Sequence, residues 1–128
     1  MTAIDSGIDT LAPVEGVSVT LSDGVLSVII DRPDSLNSVT TGVLAGIADA
    51  MEAAARDPRV RVVRLGGAGR GFSSGAGISA DDAADGVPTE IIVEANRAIR
   101  AIVASPRQVV AVVQGPAAGV GVSLALAC

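Results

Sequence analysis

The sequence predicts an α/β fold with largely parallel strand pairing. Short β-branched runs alternate with amphipathic stretches, turn signals separate them, and the final apolar segment is punctuated by glycine rather than continuous. At 128 residues the chain makes one domain, able to bury roughly two thirds of its unfolded surface. Residues 1–16, with Pro13, read as a flexible leader preceding a domain over 17–128. "VSVTL" (Val17–Leu21) and "VLSVIID" (Val25–Asp31) flank Asp23-Gly24, a hairpin signal. Pro33 ends the second strand. Thr40 or Thr41 caps a helix to about Arg56, with Leu44, Ile47, Ala48, Met51 and Ala55 as its apolar stripe. "VRVVRL" (Val60–Leu65) is a strand. A glycine-rich loop follows, then a polar stretch, then a helix over Thr89–Ala104 with Ile91, Ile92, Ala95, Ile99 and Ile102 inward. Gln108–Gln114 reads as a buried strand, and "GPAAGVG" turns into a last helix. Gln108–Cys128 carries no charge, which raises a transmembrane helix as a rival, but Pro116 and three glycines in mid-run favour strand–turn–helix.

Composition narrows the chemistry. The chain is 49% apolar but 1% aromatic, so its core is aliphatic. It has no His, Tyr or Trp, and its nine basic residues are all Arg. Imidazole bases, lysine Schiff bases, histidine-held metals and a P-loop are therefore excluded within this chain, and no metal site is expected. The net charge of −5 and the absence of a cationic cluster argue against a nucleic-acid surface. One cysteine, Cys128, forms no disulfide framework, and "MTAIDSGIDT" has no basic residue to open a secretory signal. A cytoplasmic protein that does not enter the membrane is expected.

Three readings compete for "GFSSGAGIS", Gly71 to Ser79. Gly71–Gly75 matches the serine-nucleophile pattern G-x-S-x-G, but no histidine or lysine base accompanies it. Gly75–Ala80 matches G-x-G-x-x-A, but Asp81-Asp82 follow where a pyrophosphate would sit. The third reading uses the backbone. Small residues after a strand expose N–H groups, and "GPAAGVGVS" lies at a helix N-terminus, where N–H groups lack intrahelical partners. Two such turns can each aim one N–H at a single oxygen, as in an oxyanion hole. Each can equally be a tight turn that lets helix and strand pack closely.

"DRPDSLNSV", "DPRVRVVRLGGAGRGFSSGAGIS" and "VVAVVQGPAAGVGVSLALAC", in this order, resemble three successive signatures of the crotonase superfamily, the enoyl-CoA hydratase/isomerase family. The resemblance implies a crotonase-like fold of repeated β-β-α units, of which this chain is the N-terminal half, stopping before the C-terminal helices. It implies an acyl-CoA or enoyl-CoA substrate, no separate cofactor, and a homo-oligomer built on trimers. The family's F-x-A-G-A-D loop corresponds to Phe72–Gly77, which puts the first oxyanion N–H on Ala76. Its later G-x-x-x-G-G-G turn corresponds to Gly115–Gly121, which puts the second on Val120. Ser35, Leu36 and Asn37, Ser74, Gly75, Gly77 and Ile78, and Pro116 and Gly119 resemble positions lining the family's substrate groove. Where the hydratases carry a catalytic glutamate, this chain has Ser123, a poor base near pH 7, and the second family glutamate would lie beyond Cys128. The resemblance therefore implies isomerase-like rather than two-glutamate hydratase chemistry. Its base would come from beyond this chain, from Asp81, Asp82 and Asp85, or from Glu90 and Glu94. A catalytically inactive remnant or interaction module on the same scaffold is the alternative.

Overall fold

The computed structural model describes residues 7–77, 86 and 88–128. Strands β1 (Val17–Ser22) and β2 (Val25–Ile30) form the expected hairpin, with Ser22 paired to Val25 across Asp23 and Gly24. Both turn residues have positive φ, 52° and 82°, as a two-residue loop matched to strand twist requires. β4 (Val62–Gly67) and β6 (Gln108–Ala111) add in parallel, giving the order β1-β2-β4-β6. Two short strands, β3 (Ser38–Val39) and β5 (Gly75–Ala76), pair in parallel as a separate sheet. The helices are α1 (Thr41–Arg56), α2 (Thr89–Val103) and α3 (Val120–Ala127). α/β architecture is thus observed.

The core lies between the main sheet and α1, with α2 packed on α1. Alternation on β2 sends Leu26, Val28 and Ile30 inward, where they join Val63 and Leu65 of β4. Facing them are Val43, Leu44, Ile47, Ala48 and Met51 of α1. Thr40 caps this helix, its Oγ1 accepting the Val43 N–H at 3.1 Å.

Three expectations need correction. Ile92 is 49% exposed, because the buried stripe of α2 is Ile91, Ala95, Ala98 and Ile102, and Ile92 is turned about 100° from it. The β4 strand runs Val62–Gly67 rather than Val60–Leu65. The N–H groups of Arg61 and Val62 turn back to Gly24 O, while Gly66 and Gly67 pair with Ile29 and Ile30. Among the described residues the last expected strand runs Gln108–Ala111 rather than Gln108–Gln114 and lies at the edge of the sheet, with Val110 and, beyond it, Val113 each half exposed. An uncharged apolar run looks the same in sequence whether a second neighbour covers it or not.

Within the expected leader, Gly7–Thr10 form a 3-10 turn, and Ile8, Leu11 and Val14 pack against the core. Asp57 anchors this segment. Its fully buried carboxylate accepts from the Ile8 N–H, from the Arg59 N–H and from the Arg59 guanidinium at 2.7 and 3.0 Å. The Arg59 guanidinium beside Asp57 holds its carboxyl well below the usual carboxylate range. A folded-state pKa below the unfolded value, about 3.9, stabilises the fold above that value and is lost as pH falls through and below it. We therefore expect Asp57→Asn to lower Tm by several degrees at pH 7, with the gap to wild type closing as the pH is taken from about 5 to 2. Parallel Tm–pH curves would overturn this.

Candidate oxyanion site

The site begins with the turn after β2. Arg32 O accepts the N–H groups of Ser35 and Asn37, and Leu36 and Asn37 then adopt left-handed conformations, φ 53° and 60°. Left-handed backbone costs about 1–2 kcal/mol at a residue such as leucine, so neighbouring bonds must hold it. Asn37 is fully buried and supplies them. Its Oδ1 accepts from Arg32 N–H at 2.9 Å, and its Nδ2 donates to Ala68 O and Gly71 O, both at 2.7 Å. Ser35 Oγ meets Ser38 Oγ at 2.7 Å, and the Arg32 guanidinium donates to Ser38 O. The strained turn presents Ser35 O and Leu36 O to Ser74, whose Oγ and N–H donate to them, each at 2.8 Å.

The segment Phe72–Gly77 is gripped on both edges. On one edge, Leu36 O accepts from Ser74 and Val39 O accepts from Gly77. On the other, Pro116 O accepts from Phe72 and Ser73, and Ser73 O accepts from Ala118 at 2.9 Å. Successive N–H groups of a strand point to opposite edges. Just after the two-residue β5, Gly77 N–H donates to Val39 O, so the neighbouring Ala76 N–H turns away from β3. Ser74, which also donates toward the β3 side, precedes Gly75, whose φ of 103° breaks the alternation.

The second turn is shaped by close approach. Gly75 has φ 103°, and a Cβ there would lie 3.1 Å from Ala118 O. Gly119 precedes α3 at φ 55° and ψ −130°, a conformation open essentially to glycine alone. In the first turn of α3, Gly121 N–H donates to Ala118 O, and Val122 and Ser123 donate to Gly119 O. Among the described residues, no acceptor faces the Val120 N–H. The helix start also favours negative charge there. No ionisable side chain occurs in Gly71–Gly77 or Gly115–Ser123, so the polarity of the site is that of its backbone.

The structure brings Ala76, Gly75, Pro116, Gly119 and Val120 together at the meeting of the two turns. Ser35, Ser74, Ala76, Gly77, Pro116 and Gly119 are exposed, Leu36 and Val120 half-buried, and Asn37 lies behind this surface rather than on it. Ile78, Asp81, Asp82 and Asp85 lie outside the described residues. Ser123 is exposed on α3. On α2, Glu90 is exposed and Glu94 pairs with Arg97, which also binds Asp49 and Glu52 of α1. Gln114 was missed in the sequence. Its Nε2 donates to Gly67 O, Gly69 O and Gly71 O at 2.8, 3.0 and 3.0 Å. An amide immediately before a glycine-rich turn was the available signal. Among the described residues, no cluster of three or more potential ligands could hold a metal, and no helix is long and apolar enough to cross a membrane.

Comparison with known proteins identifies a family. The family model described as enoyl-CoA hydratase/isomerase matches residues 20–128. A crystal structure of an enoyl-CoA hydratase from Mycobacterium avium subsp. paratuberculosis K-10 is 71% identical, with a TM-score of 0.85 over 92% of this chain and 46% of that one. A probable enoyl-CoA hydratase of Mycobacterium leprae is 31% identical over 88% of this chain and 45% of its own length. The 1,2-epoxyphenylacetyl-CoA isomerase of Escherichia coli K12 is 33% identical over 80% of this chain and 41% of its own. The chain thus spans a little under half the length of these relatives.

Proposed function

This chain belongs to the enoyl-CoA hydratase/isomerase family, and we propose that its two glycine-rich turns form an oxyanion hole for an acyl-CoA thioester. The observation that supports this reading is the β3–β5 register, which leaves Ala76 N–H turned away from β3, together with a Val120 N–H that has no backbone acceptor among the described residues. A base takes the proton from the carbon next to the thioester carbonyl. The released electron pair moves into the carbonyl, and the oxygen, now negative, accepts from the two N–H groups. Fixed donors of this kind need no reorganisation as the charge develops. Ser35, Leu36, Ser74, Gly75, Gly77, Ile78, Pro116 and Gly119 would line the groove for the substrate, whose CoA makes a separate cofactor unnecessary.

The chemistry is isomerase-like. Ser123 replaces the hydratase glutamate and no carboxylate occupies the first turn of α3, which disfavours water addition by two carboxylates. A single base instead returns the proton to a different carbon. The same observation favours a second reading, a scaffold that binds the thioester without turning it over. A trimer-based cytoplasmic assembly goes with the family reading.

Acetoacetyl-CoA tests the hole without needing the base, because it ionises to its own enolate, which has a distinct ultraviolet band. The chain should bind it and raise the enolate fraction at fixed pH. Binding without growth of the band, or no binding, would overturn the proposal. Loss of absorbance from a 2-enoyl-CoA would then separate turnover from mere binding.

A further inference from the structure

Gln114 sits where the two donor-bearing segments meet. It ends the run leaving β6 and immediately precedes Gly115, so it belongs to the segment that delivers Val120. Its side chain reaches the other segment. The two Nε2 hydrogens are shared among Gly67 O, Gly69 O and Gly71 O, three carbonyls of the turn that leads into Phe72–Ala76. The carbonyls of that turn converge, and such a cluster repels itself unless a donor sits among them. Asn37 serves Ala68 O and Gly71 O from the opposite, buried side. Gly115 packs against Arg70 so tightly that a Cβ there would overlap Arg70 O, which leaves no room for the segments to slide independently.

From this geometry we propose that Gln114 is a positioning residue that fixes the Ala76 N–H relative to the Val120 N–H by latching the Gly67–Gly71 turn to the chain entering α3. The proposal rests on the oxyanion reading for its functional meaning, but the latch itself can be tested apart from it. Gln114 is exposed, and Gln114→Met keeps its length while removing the donor. In 1H–15N spectra of the labelled chain, the variant should displace the amide resonances of Ser73–Ala76 as well as those of Gly67–Gly71, with Tm little changed. The acetoacetyl-CoA enolate fraction should fall about tenfold or more, since misplacement by about 1 Å can cost 10²-fold. Binding of butyryl-CoA, which is not appreciably ionised, should hold. Gln114→Asn, which keeps an amide donor, should recover part of the loss.

Amide changes confined to Gly67–Gly71 would overturn the latch. So would a Gln114→Met chain that fails to fold, or one whose enolate signal and butyryl-CoA binding fall together, because either makes Gln114 a general stability residue. If wild type raises no enolate band, the oxyanion reading fails, and the Ser73–Ala76 resonances still decide whether Gln114 positions that segment.

Discussion

Ala76→Pro should weaken the enolate-stabilising effect on acetoacetyl-CoA by about 10²–10³-fold, the usual cost of losing one oxyanion donor. Proline has no N–H, so the substitution deletes the donor without adding a competing polar group. The register makes this a clean experiment. Ala76 N–H points away from β3, and the bond from Gly77 N–H to Val39 O, 2.8 Å, does not involve it. A proline on the free edge of a short strand keeps the ladder intact. Gly75 precedes it at φ 103°, so the fold of the variant is checked by its Tm before the band is read. Ala76→Ser, which keeps the N–H, should leave the enolate band nearly unchanged. A folded Ala76→Pro chain with a wild-type band would remove Ala76 from the site.

The sequence carried the parts of this structure that depend on local chemistry. Asp23-Gly24 specified its own turn, Thr40 its cap, and Pro33 the end of β2, because each acts locally, through backbone conformation or through a side-chain oxygen that reaches the N–H three residues on. The shape of the two turns was legible for a related reason: the glycines at 75 and 119 permit conformations and approaches that a side chain forbids, whatever surrounds them. What stayed hidden depends on distant partners. Asn37 resembles a groove residue in sequence, yet its amide is spent on Arg32, Ala68 and Gly71. Gln114 gives no periodic signal, because its three acceptors lie more than forty residues earlier. The edge position of β6 among the described residues follows from strand order, which no pattern within Gln108–Gln114 encodes.

Phe72→Ala should destabilise the chain by about 3–5 kcal/mol, as large-to-small changes at buried aromatics do. Phe72 is the one aromatic residue in the sequence and is fully buried in the core. With a core otherwise built of Val, Ile, Leu, Ala and Met, no second ring is present to expand into the cavity. Net stability for a domain is about 5–15 kcal/mol, so the loss takes a large fraction of it. Urea unfolding should show a lower midpoint at unchanged slope, since the surface exposed on unfolding hardly differs. Phe72→Leu, which refills most of the space, should cost less. The functional consequence follows from position. Phe72 N–H is bonded to Pro116 O and its ring fixes the segment that carries Ala76 four residues on, so the side chain pins one donor loop to the core while the backbone ties it to the other. In dilute buffer, where Phe72→Ala is still folded, the enolate fraction should fall further than the folded fraction does. A cost below about 1 kcal/mol, or an enolate signal that tracks folding alone, would mean that the loop is held by its hydrogen bonds and that the ring contributes nothing to the donor's position.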